Sequence, residues 1–306
     1  MNSSQFKKNE LKRLCLKIGF KPDMVKEITS NIDNYYNEWV EKKIDKKTGD
    51  FKRYKDGTIK ERIIRPSLKE LKKIQTNIKN RILAPIMLPD CVHGGVKKRS
   101  NITNAKPHQG KKYKFTTDLQ EFYPNISSKR VYETFLSLGF SPHFSHWLTT
   151  LTTWKGELPQ GTPTSTHIAN LVFLETDLAF ISLCNEFNIT YTRYVDDLTF
   201  SSQKDFKPLL NDFLKIITSN GFKLNYRKTN YKGNQTITGI DVFLNRIDGP
   251  ERVIEKSEIE LLTNSHSKPY TNYLNNIRKT NLKRKNTRPE NKYLSPVLSP
   301  EKSKAP

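Results

Sequence analysis

The run from Tyr191 to Ser202, Tyr-Thr-Arg-Tyr-Val-Asp-Asp-Leu-Thr-Phe-Ser-Ser, constrains this chain more than any other stretch. On either side of Asp196-Asp197 it alternates β-branched and aromatic residues, a pattern that predicts two short strands joined by a tight turn. Adjacent carboxylates repel and raise each other's pKa, so stability alone would not place them at a hairpin tip. Two readings follow: a solvated Asp-Asp turn, or a site for a cation. Mg²⁺ takes hard oxygen ligands from one or two carboxylates and completes its shell with water and substrate phosphate. The apolar alternation continues through the pair, and a third carboxylate, Asp118, lies in the upstream run Tyr113-Lys114-Phe115-Thr116-Thr117-Asp118-Leu119. Both observations favour the metal.

Composition narrows the partner. A chain of 306 residues can bury at least one good core, and several subdomains round one cleft fit that length. Its formal net charge of +22 exceeds what solubility requires. A polyanion is the natural partner, because Lys and Arg that neutralise phosphates release counterions. Cys15, Cys91 and Cys184 lie far apart with no Cys-x-x-Cys spacing, which excludes a disulfide framework or zinc site and suits a reducing cytoplasm. His143 and His146 lack further ligands and read as surface or capping residues. The N-terminus has no apolar core of signal length and no stretch is apolar enough to cross a bilayer, so a soluble cytoplasmic protein is expected.

Along the chain, Leu11, Leu14, Cys15 and Ile18 fall on one helical face that stops at Gly19. A second helix is predicted from Pro22 to Lys43, with Val25, Ile28, Ile32, Tyr35, Tyr36 and Trp39 packing together. Phe51 to Pro66 predicts a cation-rich hairpin turning at Asp56-Gly57. Ser67-x-x-Glu70 reads as a capping box opening a helix with Leu71, Ile74, Ile78 and Ile82 inside and a stop before Pro85. Gly94-Gly95, beside Lys97, Lys98 and Arg99, would let backbone approach a phosphate. Ser127 or Ser128 caps one further helix and Ser141-Pro142 starts another. A helix with Ile168, Leu171, Leu174, Leu178 and Ile181 in the core follows, then an amphipathic one from Phe206 to Asn220. Asp248-Gly249 predicts a hairpin turn, and helices are predicted from Lys256 to Asn264 and from Tyr270 to Lys285. From Asn286 to Pro306, Pro, Ser, Lys and Glu dominate, a composition of disorder.

Tyr194-Val195-Asp196-Asp197, with Asp118 on a distant strand and Phe122-Tyr123-Pro124 behind it, resembles the palm of reverse transcriptases. Leu158-Pro159-Gln160-Gly161-Thr162-Pro163-Thr164-Ser165 matches that family's Leu-Pro-Gln-Gly-x-Pro-x-Ser motif at every fixed position. Phe222 to Thr229 is similar to its lysine-bearing motif. Two elements resemble the bacterial retron enzymes in particular: Asn104-Ala105-x-x-His108, and Thr238-Gly239, where Ile237 replaces the usual Val. Arg62-Ile63-Ile64-Arg65-Pro66 with Leu71-Lys72-Lys73-Ile74-Gln75 is similar to a run in bacterial reverse transcriptases, its interval from Pro66 to Gln75 one residue longer. The resemblance covers most of Arg62 to Gly239, and the C-terminal end departs from retron sequences.

The resemblance implies an α+β right-hand polymerase fold. Its parts would be an N-terminal helical region (1–50), fingers (51–112), a palm of antiparallel sheet packed on helices (113–235), a small helical thumb and RNA-recognition region (236–285) and a tail (286–306). It implies an RNA-directed DNA polymerase, a nucleotidyltransferase, with two Mg²⁺ ions on Asp118, Asp196 and Asp197. Contacts to dNTPs would come from Arg62, Tyr123, Gln160 and Gly161, the Tyr123 ring clashing with a ribose 2′-hydroxyl. Lys228 serves either as general acid for the leaving pyrophosphate or as a steering surface cation. RNA contacts are assigned to Asn104, His108, Thr238 and Gly239, and to the basic residues Arg278, Lys279, Lys283, Arg284 and Lys285. Asn104 and His108 serve equally well to hold a loop by hydrogen bonds.

Retron resemblance further implies a dedicated noncoding RNA as template, priming from its internal 2′-hydroxyl, and a covalent RNA–DNA product (msDNA). It also implies antiphage defence with an accessory effector protein. No residues remain for an RNase H, integrase or endonuclease domain, so RNA removal is expected from another enzyme. Two alternatives stand beside this reading. Another bacterial defence reverse transcriptase, or a group II intron relative, would keep the palm and change template and primer. A noncatalytic RNA-binding scaffold would keep the fold, but has no reason to retain three repelling carboxylates.

Overall fold

Three largely buried strands build the sheet at the centre of this α+β fold. The computed structural model describes residues 3–45, 48–54, 56–263 and 265–281. In chain order its elements begin α1 (Ser3–Ile18), α2 (Pro22–Ser30), β1 (Trp39–Lys42), β2 (Glu61–Ile64), α3 (Lys69–Ile78) and α4 (Asn101–Ala105). The central part holds β3 (Tyr113–Asp118), α5 (Ser128–Ser137), α6 (Pro142–Thr152), α7 (Ser165–Val172), α8 (Leu174–Glu186), β4 (Thr190–Tyr194), β5 (Asp197–Ser202) and α9 (Leu210–Ser219). Then come β6 (Asn230–Lys232), β7 (Gln235–Ile237), β8 (Ile240–Val242), β9 (Ile247–Asp248), α10 (Glu251–Leu262) and α11 (Pro269–Lys279).

The central sheet is antiparallel in the order β4-β5-β3-β6. Phe115, Tyr191 and Phe200 point to one of its faces and meet Phe180 of α8 and Phe213 of α9, with Phe200 and Phe213 stacked at 4.4 Å. Each ring buries a large apolar area, and this aromatic cluster fixes which face of β3 and β5 is inside. Ser127 and Ser141 cap α5 and α6, their hydroxyls accepting from Arg130 N and Phe144 N. As expected, Leu11, Leu14, Cys15 and Ile18 of α1 are buried.

The second helix ends at Ser30, not Lys43. Trp39 to Lys42 instead pair with Ile64 to Glu61, because β-branched and aromatic residues on both segments offer a ladder that a helix would forgo. Tyr36 is buried against Trp154 at 4.7 Å, while Trp39 stays exposed. The hairpin expected from Phe51 to Pro66 is therefore part of a longer ribbon, where Phe51 meets Ile44 and Arg53 meets Ile59. At its root Arg65 bridges Glu38 and Glu157, and Arg65 N donates to Gln160 O at 2.7 Å.

Four other expectations give way to tertiary structure. Ser67 is drawn into a β-bridge with Tyr36, so Leu68 precedes α3 without a side-chain cap and no capping box forms. The helix after the Pro-Gln-Gly turn breaks at Phe173 with a 50° bend. The break resets the phase, turning Asp177 and Phe180 inward and leaving Leu178 exposed. Gly94 and Gly95 face protein, packing under the Tyr194-Val195 turn and against Thr166. Asp248-Gly249 is the end of β9 leading into α10, and the C-terminal region opens with a three-stranded sheet, β7-β8-β9. Among the described residues no single helix is long and apolar enough to cross a membrane.

Candidate active site

The carboxylates meet because of strand register. Asp118, the last residue of β3, is the Cα partner of Asp197, the first of β5, and Tyr194 of β4 pairs with Asp197 from the other side. The hairpin turn is therefore Val195-Asp196. Beyond the ladder, Leu119 N donates to Asp196 O at 3.0 Å, tying both segments together past the strand ends. Asp118 is only 5% exposed. Desolvation and the facing carboxylates push Asp197 up to about 7 and raise Asp196 as well.

A stability prediction follows from the sign of that shift. A carboxyl whose folded pKa lies above its unfolded value near 3.9 weakens the fold as pH rises from about 4 to 7. The penalty is full above pH 7. Asp197→Asn removes it, so in chelator the variant is expected to melt several degrees above the parent at pH 8, with the gap closing toward pH 4. Equal melting temperatures at pH 8 would show that the carboxylates do not strain the fold.

Two residues downstream of α9 hold Asp118. Asn225 N donates to Asp118 O at 2.8 Å, Asn225 Nδ2 to Oδ1 at 3.1 Å, and Lys228 Nζ to Oδ2 at 2.6 Å. Burial works against the Lys228 charge, but its bond to Asp118 and the nearby Asp197 and Asp196 raise its pKa overall. A second cation comes from the ribbon. Trp39, Glu41 and Lys43 alternate onto the face that also carries Arg62 and Lys60. Lys43 is close enough for desolvation, Lys228 and Arg62 to lower its pKa, while Asp118 and Asp196 oppose them. Arg62 Nε lies 2.6 Å from Glu41.

The donor set fits a hard divalent cation, which prefers carboxylate oxygen and leaves positions for water and phosphate. Among the described residues no group of three or more His, Cys, Asp or Glu side chains is arranged to hold a metal ion by itself. The three carboxylates are gathered at one end of the central sheet, Asp118 buried and Asp196 and Asp197 partly buried. Tyr123 stands beside Asp196, its hydroxyl 3.0 Å from Thr166 Oγ1 on α7. Gln160 and Gly161 form the turn before α7. Gly161 has φ +108, and a Cβ there would meet Ile64 at 3.3 Å, so the turn docks on the root of the ribbon.

The residues assigned to RNA divide into three groups. Asn104 and His108 are fully buried and face protein. His108 bonds Ser201 Oγ at 2.7 Å and Thr192 Oγ1 at 2.8 Å, and burial pushes its pKa down to about 3. Asn104 Nδ2 donates to Thr238 Oγ1 at 3.3 Å. In this structure the two side chains brace the 101–108 segment against the central sheet and the β7-β8 turn, the loop-holding role that the sequence left open beside RNA contact. Thr238 and Gly239, at φ +46 and +78, form the two-residue turn of that hairpin, with the signs of a type I′ turn. Arg278 and Lys279 are exposed on α11, but Arg278 already pairs with Asp248 at 2.9 Å. Lys283, Arg284 and Lys285 lie outside the described residues.

Residues 44–262 match the family described as reverse transcriptase (RNA-dependent DNA polymerase), and the chain belongs to that family. Its fold is that of the right-hand polymerases. Its retron-type resemblance is also borne out. It is 35% identical over 183 residues to the Retron Ec86 reverse transcriptase of Escherichia coli, covering 58% of this chain and 57% of that one. It is 36% identical over 169 residues to the Retron Se72 reverse transcriptase of Salmonella heidelberg (strain 579083-10), covering 55% and 45%. The chain spans about half the length of the curated relatives it matches.

Lys43 and Asn225 were not singled out by sequence reasoning. The helix predicted through Lys43 hid the period-two alternation of Trp39, Glu41 and Lys43 that places it on the cleft face. Asn225 sits in the lysine-bearing motif three residues before Lys228, but nothing local says that its amide reaches β3.

Proposed function

We propose that this chain is an RNA-directed DNA polymerase that copies a dedicated noncoding RNA into single-stranded DNA, in the manner implied by the retron names of its relatives, and serves antiphage defence with an effector partner. The observation that carries the polymerase reading is the β3–β5 register, which sets Asp118 opposite Asp197 at the open end of the sheet. Two Mg²⁺ ions held by Asp118, Asp196 and Asp197 would supply activation of the primer hydroxyl and charge stabilisation of the departing pyrophosphate. Arg62 and Lys43 face the same cleft from the ribbon and suit the triphosphate of a dNTP. Lys228 is placed to give a proton to the pyrophosphate oxygen as its bond to the α-phosphorus breaks. Asn225 keeps Asp118 oriented. Gln160 and Gly161 line the position of the nascent pair.

Tyr123, fixed by Thr166, stands where a sugar would rest. Its ring leaves no room for a 2′-hydroxyl, so Tyr123→Ala is expected to raise ribonucleotide incorporation relative to deoxynucleotide by at least about tenfold. Unchanged sugar discrimination in competition assays would remove the gate.

The reading as a whole is tested with purified protein, a homopolymeric RNA template and an annealed DNA primer. Extension is expected with Mg²⁺ and dNTP and is lost in chelator. Sequencing the nucleic acid that copurifies should return one structured RNA joined to DNA. A random transcript population would remove the retron part and leave the polymerase.

A further inference from the structure

Arg193 is fully buried in β4, two residues before the turn that carries Asp196. Its guanidinium makes four bonds. Nε and Nη2 grip Asp177 of α8 at 2.9 and 2.6 Å, Nη1 donates to Asn170 Oδ1 of α7 at 2.9 Å, and Nη1 also reaches Val195 O at 2.9 Å. The plane of the group lies over the Phe173 ring, at the α7–α8 break, at 4.7 Å. Asn170 extends the network, its Nδ2 donating to Gly94 O at 2.8 Å. Tyr191 OH donates to Asp177 Oδ1 at 2.7 Å.

A buried ion pair is a poor source of stability, since well-packed apolar residues of the same volume are often as good or better. The bond to Val195 O points to a different use. Val195 has φ +59, a left-handed conformation that costs a β-branched residue and that glycine would adopt freely. A positive φ at the first position of a two-residue hairpin turn is the place of glycine in type II′ turns. Something must hold the valine there, and the surroundings do so from two sides. Gly94 backs the turn so closely that a Cβ on it would lie 2.5 Å from Val195 N. Arg193 fixes the carbonyl on the other side of the same residue.

We propose that Arg193 is a positioning residue for DNA synthesis: it clamps the strained Val195-Asp196 turn to α7 and α8, so that Asp196 and Asp197 stand opposite Asp118. This rests on the polymerase reading above. The same guanidinium links the helix that follows the Gln160-Gly161 turn to the metal-binding hairpin, so the two halves of the site are set by one side chain.

The test is steady-state primer extension on RNA with Arg193→Lys, which keeps a charge facing Asp177 and loses the planar fork. A small displacement of the carboxylates costs up to about a hundredfold, so kcat is expected to fall roughly 10- to 100-fold while KM for dNTP stays within about twofold. The melting temperature should change by only a few degrees. Adding Val195→Gly, which removes the backbone strain, should restore at least about fivefold of the lost kcat. A kcat within about twofold of the parent, or a loss that Val195→Gly does not recover, overturns the proposal. If Arg193→Lys does not fold, Asn170→Ser is read instead: it spares the Arg193–Asp177 pair and should cost roughly 3- to 10-fold in kcat, and no loss overturns the proposal. If the parent makes no DNA, the polymerase reading fails separately, and Mn²⁺ titration decides this one. Binding at least about fivefold weaker in Arg193→Lys supports the clamp, and equal binding overturns it.

Discussion

Asp196→Asn is expected to lower DNA synthesis by at least about a thousandfold, a loss of roughly 4 kcal/mol of transition-state stabilisation. The substitution keeps shape and removes one negative charge from the end of the sheet. Asparagine presents a neutral oxygen where a hard divalent cation needs a carboxylate. The fold does not suffer, because burial and the facing Asp118 already raise the Asp196 pKa, and the amide relieves that repulsion. RNA affinity should stay within about twofold, since phosphate binding depends on lysines and arginines elsewhere on the surface. Primer extension and filter binding on the same preparation separate the two effects. Retained synthesis would remove Asp196 from the metal site, and lost RNA binding would mean that the substitution acts on more than chemistry.

Gly94→Ala is expected to lose both stability and activity. A Cβ at Gly94 would stand 2.5 Å from Val195 N and 3.0 Å from Tyr194 C. Those neighbours are backbone, so no flexible side chain can swing away. Arg193 N also donates to Cys91 O and His93 N to Arg193 O, at 2.7 and 2.8 Å, which pins the loop against β4. The methyl group must push the turn or tear the loop off. Overpacking of this kind costs about 1–3 kcal/mol, which should lower the melting temperature by roughly 2–10 °C. The accompanying shift of Asp196 should reduce kcat by about a hundredfold. Thermal melts and extension rates check both numbers, and a variant that matches the parent in each would show that the loop stands clear of the hairpin.

Much of the site was legible because its chemistry is written in short runs. Asp118, Asp196 and Asp197 announce themselves by being acidic where strands are apolar, and a period of two is enough to put Asp118 at a strand end. Glycine and proline around Gln160 fix a turn by themselves. The misread parts depend on partners distant in sequence. Trp39 to Lys42 have residues that suit either a helix or a strand, and only Glu61 to Ile64 decide between them. Ser67 carries a capping signature, but a β-bridge to Tyr36 takes it first. Gly94-Gly95 beside three cations suggests a phosphate, yet the close neighbour is Val195. Asn104 and His108 stand out as polar residues in an apolar setting, and the sequence leaves open whether such residues face a ligand or each other. Here burial decides: His108 spends both ring nitrogens on Thr192 and Ser201.

The ion pairs of Arg65 with Glu38 and Glu157, together with its backbone bond to Gln160, fix the root of the β1–β2 ribbon. The same residue therefore ties two stretches far apart in sequence, the ribbon and the turn that opens α7. A substitution at Arg65 would thus be felt at Gln160 and at Glu38 together, coupling the register of the ribbon to the shape of that turn.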